Sequence, residues 1–581
     1  MSVTIGQDTR GSSLRKGRWS VAIVAASALL MVVILLSPCT VPIGRMYWDL
    51  VVYLDAANRI FNAQIPVVDF FTPVGPLGYY LFAAGLKLFP NAQPLLLVSW
   101  SVFVVTGPLM AIVSREIEVR QRRGMAFAVL LPFLAFTFLP FNTESSFLYP
   151  GSDGYGIYNR QVTQLLYVLA AALIFIRHQR LLASVVVLAM TALFFIKITG
   201  FIAGLLICAF AFFAGRLTFR HAVAAALIFF AILGVFQLWN GLTVRYMADI
   251  WTLAIMNSGK LLPRFLRAGA EYFSVMAPAG LLVLVLFWTT RDRIASSWRS
   301  LRQERSWQRL TAFLDHEGMW LGVLLFAGLF FETQNSGSQA LIFLWPVAIW
   351  IVSSRLQAAT ETPKAFGAIA ILAGIAVFLP LTDVLHRAAA AYISAVRNEP
   401  LPNENLKTIG SVNARPEMIK LAGDLLRNYT VHRDAYRDFV RAGELPTYGY
   451  YSDFGFQLTH LMAFDRAVAA IRALEAESGK RFETLMNLNF VNPFPYLLDR
   501  TAPKYIAIGA DPTRAVPDPD MEVLEAVRQT DLVLYPTCPL TPDNSALHAI
   551  YSPALAGHRK IELDDCYDAF VHPRFEMDLG T

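Results

Sequence analysis

The chain has 581 residues, of which 55% are apolar and only 16% are Asp, Glu, Lys or Arg, and its mean hydropathy is +0.47. Soluble globular proteins carry about 25% charged residues. These values exclude a soluble enzyme, a disordered scaffold and a collagen-like protein, and they predict a polytopic α-helical membrane protein. The net charge of +6 does not indicate a nucleic-acid partner, because basic residues stand beside the ends of apolar runs.

The apolar runs predict about eleven transmembrane helices. Several runs are short for a hydrocarbon layer of roughly 30 Å, so we expect neighbouring helices to supply polar walls and an internal cavity. The first run is too long for a signal peptide and has no small-x-small cleavage pattern, so it is expected to be retained. The predicted spans are about 19–41, 92–114, 125–141, 161–176, 181–197, 200–215, 221–239, 275–290, 318–332, 339–354 and 364–381.

The distribution of Lys and Arg predicts the orientation of the chain. If the N-terminus is cytoplasmic, twenty cations lie in the inner segments and nine in the outer loops. We therefore expect a multi-pass protein of a bacterial inner membrane, with a cytoplasmic N-terminus and residues 382–581 in the periplasm. Residues 1–381 then form the transmembrane domain.

The first external loop, about residues 42–91, predicts two helices at the membrane surface. Leu50, Leu54, Ala57 and Phe61 recur at helical spacing, which is typical of an amphipathic helix. On another face, Asp55 and Arg59 stand four residues apart and are expected to form a surface ion pair. A second apolar segment, 75–89, follows several prolines.

The last 200 residues have the composition of a soluble α/β domain. Helix is expected at 465–478, and strands at 504–507 and 531–534. The domain contains two of the four cysteines, Cys538 and Cys566. In an oxidising periplasm such a pair forms a disulfide more often than a metal site, although free buried thiols are the alternative.

The first loop also carries a recognisable motif. It reads Asp49-x-x-x-Tyr53, then Ala56-Ala57, Pro66-x-x-Asp69 and Pro73-x-Gly-Pro76-Leu77. This pattern resembles the first loop of the C superfamily (GT-C fold) of polyprenyl-phosphate-sugar-dependent glycosyltransferases. That group includes the protein O-mannosyltransferase, oligosaccharyltransferase and lipid A aminoarabinose transferase families. The motif covers about 35 residues, and the layout of many spans followed by an external tail extends the resemblance over the chain.

The resemblance implies that Asp49 is the general base, because it matches the acid at the outer end of the first span. A carboxylate at a partly dry surface can have its pKa raised to a useful value. The alternative is that Asp49 only caps the following helix. Asp69 is a second acid of this pattern, and it either orients the acceptor, binds a divalent cation or forms a turn with nearby backbone amides.

The same resemblance implies a cation for the lipid phosphate. Some members carry a lysine before the loop proline, whereas Gly75 precedes Pro76 here. The candidates that replace it are Lys197, Arg160 and Arg245. Lys197 stands between two apolar runs, where it either binds the donor or extends to lipid headgroups.

Weaker signals indicate contacts with the sugar or the acceptor. Tyr53 belongs to the motif, Glu144 and Asp153 lie in the second external loop, and Gln334 and Asn335 lie in a polar turn between two spans. Each of these residues could equally be an ordinary polar loop residue or a packing residue without a functional role.

The sequence thus predicts a membrane glycosyltransferase that uses a polyprenyl-phosphate-linked sugar and an extracytoplasmic glycan, lipid or protein acceptor. Phosphate-loop and dinucleotide-binding motifs are absent from the sequence, which argues against ATP or nucleotide-sugar substrates. The alternatives are a carrier or flippase for a lipid-linked or small solute, and a non-catalytic envelope assembly protein. Membrane lipids are the remaining expected partner.

Overall fold

A computed structural model describes residues 17–143, 150–259, 261–333, 339, 341–358, 362–445 and 454–575. The first part of the chain is helical apart from the two-residue strand β1 (Val41–Pro42). Its helices up to the middle of the chain are α1 (Arg18–Leu36), α2 (Asp49–Phe61), α3 (Leu77–Leu88), α4 (Pro94–Ser101), α5 (Phe103–Arg120), α6 (Arg123–Phe138), α7 (Ile157–Phe175), α8 (Gln179–Ile196), α9 (Ile198–Phe213), α10 (Phe219–Asn240) and α11 (Leu242–Met256).

The helices continue to the end of the predicted transmembrane domain and beyond it. They are α12 (Leu261–Glu271), α13 (Phe273–Thr289), α14 (Arg291–Gln303), α15 (Trp307–Leu314), α16 (Glu317–Glu332), α17 (Trp345–Ala358) and α18 (Pro363–Ser394). The eleventh predicted span, 364–381, is the first part of α18, so this helix passes the expected boundary at 381 without a break.

Each of the eleven predicted spans overlaps helical residues, and the span 92–114 covers two helices, α4 and α5, which are bent by 44°. The helices differ in how well they suit a bilayer. Within the described residues, four helices are long and apolar enough to cross a membrane, or up to seven if each sharply bent helix pair is one span. Three shorter apolar helices, Arg123–Phe138, Ile198–Phe213 and Ile342–Gln357, accompany them. The helices are therefore confirmed, and eleven crossings stay a prediction.

Two helices show how the bundle separates its interior from its outer surface. Helix α7 is buried along nearly its whole length and carries polar side chains such as Asn159 and Gln161 in its first turns. Helix α10 is the opposite, since Leu238 is 90% exposed and Phe230 and Trp239 are exposed as well. Large exposed apolar side chains around a helix are expected where lipid replaces water as the solvent.

The described residues of the tail form both α-helices and β-strands, and the separate periplasmic domain stays a prediction. The helices of the tail are α19 (Pro416–Val431), α20 (Arg433–Ala442), α21 (Phe454–Ser478), α22 (Phe494–Leu498), α23 (Met521–Arg528) and α24 (Pro542–Leu555). Its strands are β2 (Glu399–Pro400), β3 (Val412–Ala414), β4 (Leu485–Asn487), β5 (Leu532–Pro536), β6 (Arg559–Asp564) and β7 (Tyr567–Val571).

Two small sheets organise these strands. One has the order β4-β5-β7-β6, with β4 parallel to β5 and the other pairs antiparallel. The other has the order β1-β3-β2, and in it β1 pairs parallel with β3. Because β1 comes from the first loop, this sheet joins the tail to the membrane domain.

The predicted disulfide is confirmed, whereas one predicted strand is wrong. Cys538 and Cys566 are bonded, and their Cα atoms are 4.9 Å apart. The strand expected at 504–507 does not form. Only Ala507 makes a bridge, and its partner is Phe71 of the first loop rather than a strand of the tail. This segment follows Pro503, and its hydrogen bonds go to the loop.

Candidate functional site

Backbone hydrogen bonds connect the tail to the first loop, residues 42–91. The Phe71 amide donates to the Ile506 carbonyl at 3.2 Å, and the Ile508 amide donates to the Phe71 carbonyl at 3.1 Å. The Tyr505 amide donates to the Asp69 carbonyl at 2.6 Å. The loop is therefore enclosed between the helices and the tail, and both position its candidate residues.

Helix α2 is buried, and this overturns the prediction of a helix on the membrane surface. Ten consecutive residues, Leu50 to Arg59, are inaccessible or nearly so, and Phe61 of the predicted apolar face is instead 49% exposed. The tail covers the face that was expected to meet water: Asn58 donates through Nδ2 to the Arg500 carbonyl at 2.9 Å. The prediction failed because helical spacing shows where the apolar stripe lies, not what covers the opposite face.

The prediction that Asp55 and Arg59 form an ion pair on the surface is also wrong. Arg59 Nε donates to Asp55 Oδ1 at 2.9 Å, but the side chains are 0% and 4% exposed. The guanidinium also donates to Gln64 Oε1 at 3.1 Å and to the Pro503 carbonyl at 2.7 Å. The pair is a buried link between α2 and the tail.

Asp49 begins α2 directly after a residue that the tail holds in place. The Trp48 amide donates to Gln457 Oε1 of α21 at 3.2 Å, and the Trp48 ring lies 5.2 Å from the Phe490 ring. The position before the helix belongs to Trp48, and among the described residues no side-chain hydrogen bond caps α2. The first turn of α2 still places the Asp49 carboxylate where the helix dipole favours an anion.

The carboxyl group of Asp49 has an unusual electrostatic environment. Within the described part of the chain its Oδ1 is buried without a hydrogen-bond partner. Burial raises the pKa of Asp49 to about 7, and the positive charges of Arg514 and Arg45 act in the opposite direction. Arg45 itself lies over the ring of Tyr155, 5.3 Å from its centroid. A carboxyl group with this pKa can both accept and release a proton near neutral pH.

Asp69 lies in a turn of the same loop and makes two interactions. Its Oδ2 accepts from the Ile65 amide at 2.8 Å, and its Oδ1 lies 3.1 Å from Lys504 Nζ of the tail. This is the geometry of a turn residue with a surface charge partner. Its predicted role toward an acceptor or cation stays a prediction. Among the residues that the structure describes, no group of three His, Cys, Asp or Glu could hold a metal ion.

Lys197 is enclosed at the junction of α8 and α9. Lys197 is only 7% exposed, and its Nζ donates to Asn159 Oδ1 at 2.7 Å. The ammonium also lies 5.0 Å from the Tyr158 ring and 5.1 Å from the Phe331 ring. This arrangement does not fit the alternative in which the side chain extends to lipid headgroups.

The other two predicted phosphate ligands lie in different surroundings. Arg160 is buried and donates to Asn142 Oδ1 at 3.1 Å and to the Asp153 carbonyl at 3.0 Å. Asp153 accepts from the Asn142 amide at 2.9 Å, so Asn142, Asp153 and Arg160 are linked to one another. Arg245 is exposed on α11, and its guanidinium lies 3.4 Å from the Val68 carbonyl.

Of the residues predicted to contact the sugar or the acceptor, the structure describes some and not others. Tyr53 is buried in α2, with its ring 5.1 Å from that of Tyr79 and 5.9 Å from that of Phe82. Glu144, Gln334 and Asn335 lie outside the described residues.

The sequence did not single out three residues beside these sites. Arg514 of the tail acts on both Asp49 and Lys197 electrostatically, and Tyr155 lies under Arg45. On α11, Asp249 has an Oδ2 that is buried without a partner in the described chain, and burial raises its pKa to about 7. The sequence carries no signal that Arg514 acts on Asp49, because Arg514 lies more than 460 residues after Asp49 in the chain.

Comparison with known proteins identifies two similar solved structures. No model of a protein family matches the chain, and no curated protein sequence is significantly similar to it. The chain is similar to ArnT from Cupriavidus metallidurans bound to undecaprenyl phosphate, with 14% identity and a TM-score of 0.37. It is similar to the same protein in the apo state with 13% identity and a TM-score of 0.34. Both alignments cover 95% of this chain and 97% of the other. At these values neither likeness by itself assigns an activity to the chain.

Proposed function

We propose that this protein is a membrane glycosyltransferase that transfers a sugar from a polyprenyl-phosphate donor to an acceptor hydroxyl on the outer face of a bacterial inner membrane. The observation that carries the proposal is the state of Asp49. Its carboxyl group has a raised pKa of about 7 and an unpartnered, buried oxygen within the described chain, and two arginines act on it. A structural aspartate is normally held by hydrogen bonds to both oxygens.

In the proposed reaction Asp49 is the general base. The acceptor hydroxyl gives its proton to the Asp49 carboxylate as its oxygen forms a bond to the anomeric carbon of the sugar. The bond between that carbon and the phosphate oxygen breaks, and its electron pair leaves with the polyprenyl phosphate. A pKa near the working pH gives the best compromise between the fraction ionised and the strength of the base.

The leaving group is an anion, so the proposal also needs cations close to Asp49. Arg45 and Arg514 both act on Asp49 electrostatically, and Lys197 interacts electrostatically first with Glu332 and then with Arg514. We therefore propose Lys197 as a phosphate ligand. Arg160 is a weaker candidate because its guanidinium is already hydrogen-bonded within the protein, and Arg245 is a weaker candidate because it is exposed.

The predicted orientation supports a lipid donor. If the N-terminus is cytoplasmic and the tail is periplasmic, Asp49 faces a compartment without a supply of nucleotide sugars. A membrane-delivered phosphate sugar is then the available donor. The sugar, the acceptor and any need for a divalent cation are left open by this proposal.

The experiment is a donor assay with purified protein. A lipid extract that contains polyprenyl-phosphate-linked sugars and a set of soluble nucleotide sugars are each offered with envelope glycan or lipid acceptors, and products are identified by mass spectrometry. We expect transfer from the lipid extract only. Equal transfer from a soluble nucleotide sugar would contradict the proposal, and so would an envelope glycan profile that is unchanged in a deletion strain.

A further inference from the structure

Helices α14 and α15 form a basic hairpin, residues 291–314, between α13 and α16. Its tryptophans, Trp298 and Trp307, are 43% and 49% exposed. It has only two acidic residues but six exposed arginines, which are Arg291, Arg293, Arg299, Arg302, Arg305 and Arg309. Helices that combine basic residues with exposed tryptophan are typical of the headgroup region of a membrane. The composition of the hairpin therefore indicates a contact with lipid headgroups.

Aromatic packing fixes the hairpin beside the ends of neighbouring helices. The Trp298 ring of α14 lies 5.4 Å from the Phe313 ring of α15, and the Trp307 ring of α15 lies 5.3 Å from the Phe212 ring of α9. Helices α15 and α16 meet at a bend of 72°. Transmembrane helices lie on average about 20° from the bilayer normal. If α16 crosses the membrane, α15 therefore lies close to the membrane plane.

An apolar groove connects the surface of α13 with the hairpin. Along α13 the groove has about 600 Å³ and is lined by Leu284, Val285, Phe287, Trp288 and Arg291. On the hairpin it has about 480 Å³ and is lined by Phe287, Arg291, Ile294, Ala295, Trp298 and Phe313. We call the two parts together the α13–hairpin groove. Arg291 belongs to both parts and is the charged residue of the lining.

The side chain of Arg291 is accessible at the junction of the two parts. Its Cζ lies 4.7 Å from the centroid of the Trp288 ring, and Trp288 is 70% exposed. The acidic neighbour of Arg291 is Asp292, but Nε and Oδ1 are 4.0 Å apart, which is longer than a hydrogen bond. The two side chains are 61% and 99% exposed. A guanidinium that lies over a ring keeps N–H donors at its edge for an anion.

We propose that the α13–hairpin groove binds an anionic phospholipid, with an acyl chain along α13 and the headgroup phosphate at Arg291. An acyl chain matches the apolar lining, and a phosphate accepts charge-assisted hydrogen bonds from a guanidinium. The other arginines of the hairpin favour a headgroup with a net negative charge over a zwitterionic one. In the predicted orientation the hairpin is cytoplasmic, so the lipid belongs to the inner leaflet. This proposal goes beyond the proposed function and does not depend on it.

The first test compares two lipids on the wild-type protein. Full-length protein is delipidated in detergent, and native mass spectrometry measures the binding of phosphatidylglycerol and of phosphatidylcholine with the same acyl chains. Both probes contain a phosphate, so they differ in the net charge of the headgroup. We expect phosphatidylglycerol to bind about tenfold more tightly, and we expect this preference to decrease as the ionic strength rises. Equal binding of the two lipids would overturn the proposal.

The second test asks whether Arg291 is the phosphate ligand. Arg291→Gln should weaken the binding of phosphatidylglycerol about fivefold, because one cation beside the headgroup is lost. Arg291→Lys keeps the charge and should retain most of the affinity. Arg220→Gln is the matched control, since Arg220 is also exposed, lies in the first turn of α10 on the same predicted side of the membrane and is not part of the groove. Arg220→Gln should bind like the wild type.

The remaining outcomes decide between this groove and its alternatives. If Arg291→Gln binds phosphatidylglycerol as tightly as the wild type, the groove is not the site. If Arg220→Gln weakens binding as much as Arg291→Gln, the lipid is attracted by the general charge of this side and the proposal is wrong. Tighter binding of a polyprenyl phosphate than of phosphatidylglycerol, lost in Arg291→Gln, would assign the groove to a different lipid. A negative donor assay leaves the proposal unaffected, because these measurements do not involve sugar transfer.

Discussion

The two carboxylates of α2 stand six residues apart on one helix and have opposite surroundings. Asp55 is enclosed with Arg59 in an ion pair of 2.9 Å, and Arg59 also donates to Gln64 of the first loop and to the Pro503 carbonyl of the tail. Asp49 has two arginines that act on it through space and an oxygen without a partner in the described chain. Burial raises the pKa of both carboxyl groups; at Asp55 the charge and the hydrogen bond of Arg59 oppose this at contact distance, whereas at Asp49 the charges of Arg514 and Arg45 oppose it. The comparison teaches that the two buried carboxylates differ in the ionic contact they make and not in the direction of their pKa shift.

Removing the Asp49 charge is expected to have the largest effect on activity. Asp49→Asn keeps the size of the side chain but cannot accept the acceptor's proton, so transfer should fall about 100-fold or more. Expression and thermal stability should not fall, because burial opposes the charge that the substitution removes. The measurements are a donor assay at saturating acceptor and a thermal melt in detergent.

The result for Asp49→Asn distinguishes the general base from a residue that only favours the start of α2. Asn is as good as Asp at a helix N-terminus, so a structural role predicts nearly wild-type transfer. Nearly wild-type transfer by Asp49→Asn would mean that Asp49, like Asp55, has no role in the chemistry. It would favour a carrier or an assembly protein unless another carboxylate were then shown to be required.

Asp55 is expected to show the reverse pattern, with a large loss of stability and little loss of chemistry. Asp55→Asn leaves the buried Arg59 charge without its ionic partner, and breaking a buried pair costs about 3 to 5 kcal/mol. The unfolding midpoint in detergent should drop sharply, while transfer per folded molecule stays near the wild-type value.

The control for Asp55 is an exposed pair of similar spacing. Asp424 pairs with Arg427 three residues later, and the two side chains are 46% and 72% exposed. Asp424→Asn should cost only a few tenths of a kcal/mol, as is usual for surface pairs. If Asp55→Asn and Asp424→Asn lower the stability by the same small amount, the Asp55–Arg59 pair is not buried. The prediction of a surface pair would then be correct.

The elements of this fold could be predicted from the sequence because their signals are local. Apolar runs indicate the eleven helices, and two cysteines in one external domain indicate the disulfide. Acids at loop positions are equally visible, so Asp49 and Asp69 could be chosen from the motif alone. The count of crossings could not be fixed in this way, since a short apolar helix can be a span or an internal helix.

The surroundings of the site depend on contacts between distant parts of the chain. The spacing of Asp55 and Arg59 is the same whether the pair faces water or the tail, so their burial could not be read from it. For Lys197 the sequence left open donor binding or extension to lipid headgroups, and only the structure shows that Asn159 and two aromatic rings enclose it. Arg514 reaches the site only because the tail folds back onto the first loop.

The smallest effect is expected at Asp69, the other acid of the motif. Its Oδ2 accepts from the Ile65 amide at 2.8 Å, a bond that an Asn side-chain oxygen can also accept. Its Oδ1 pairs with Lys504, whose side chain is 49% exposed, and such pairs contribute about 0 to 1 kcal/mol. Asp69→Asn should therefore lower the unfolding midpoint slightly and leave transfer almost unchanged. Lys504→Gln removes the same pair but keeps the carboxylate, so the two variants should behave alike in both the melt and the donor assay. An inactive Asp69→Asn beside an active Lys504→Gln would show that the carboxylate itself is needed, and with an active Asp49→Asn it would move the general base from Asp49 to Asp69.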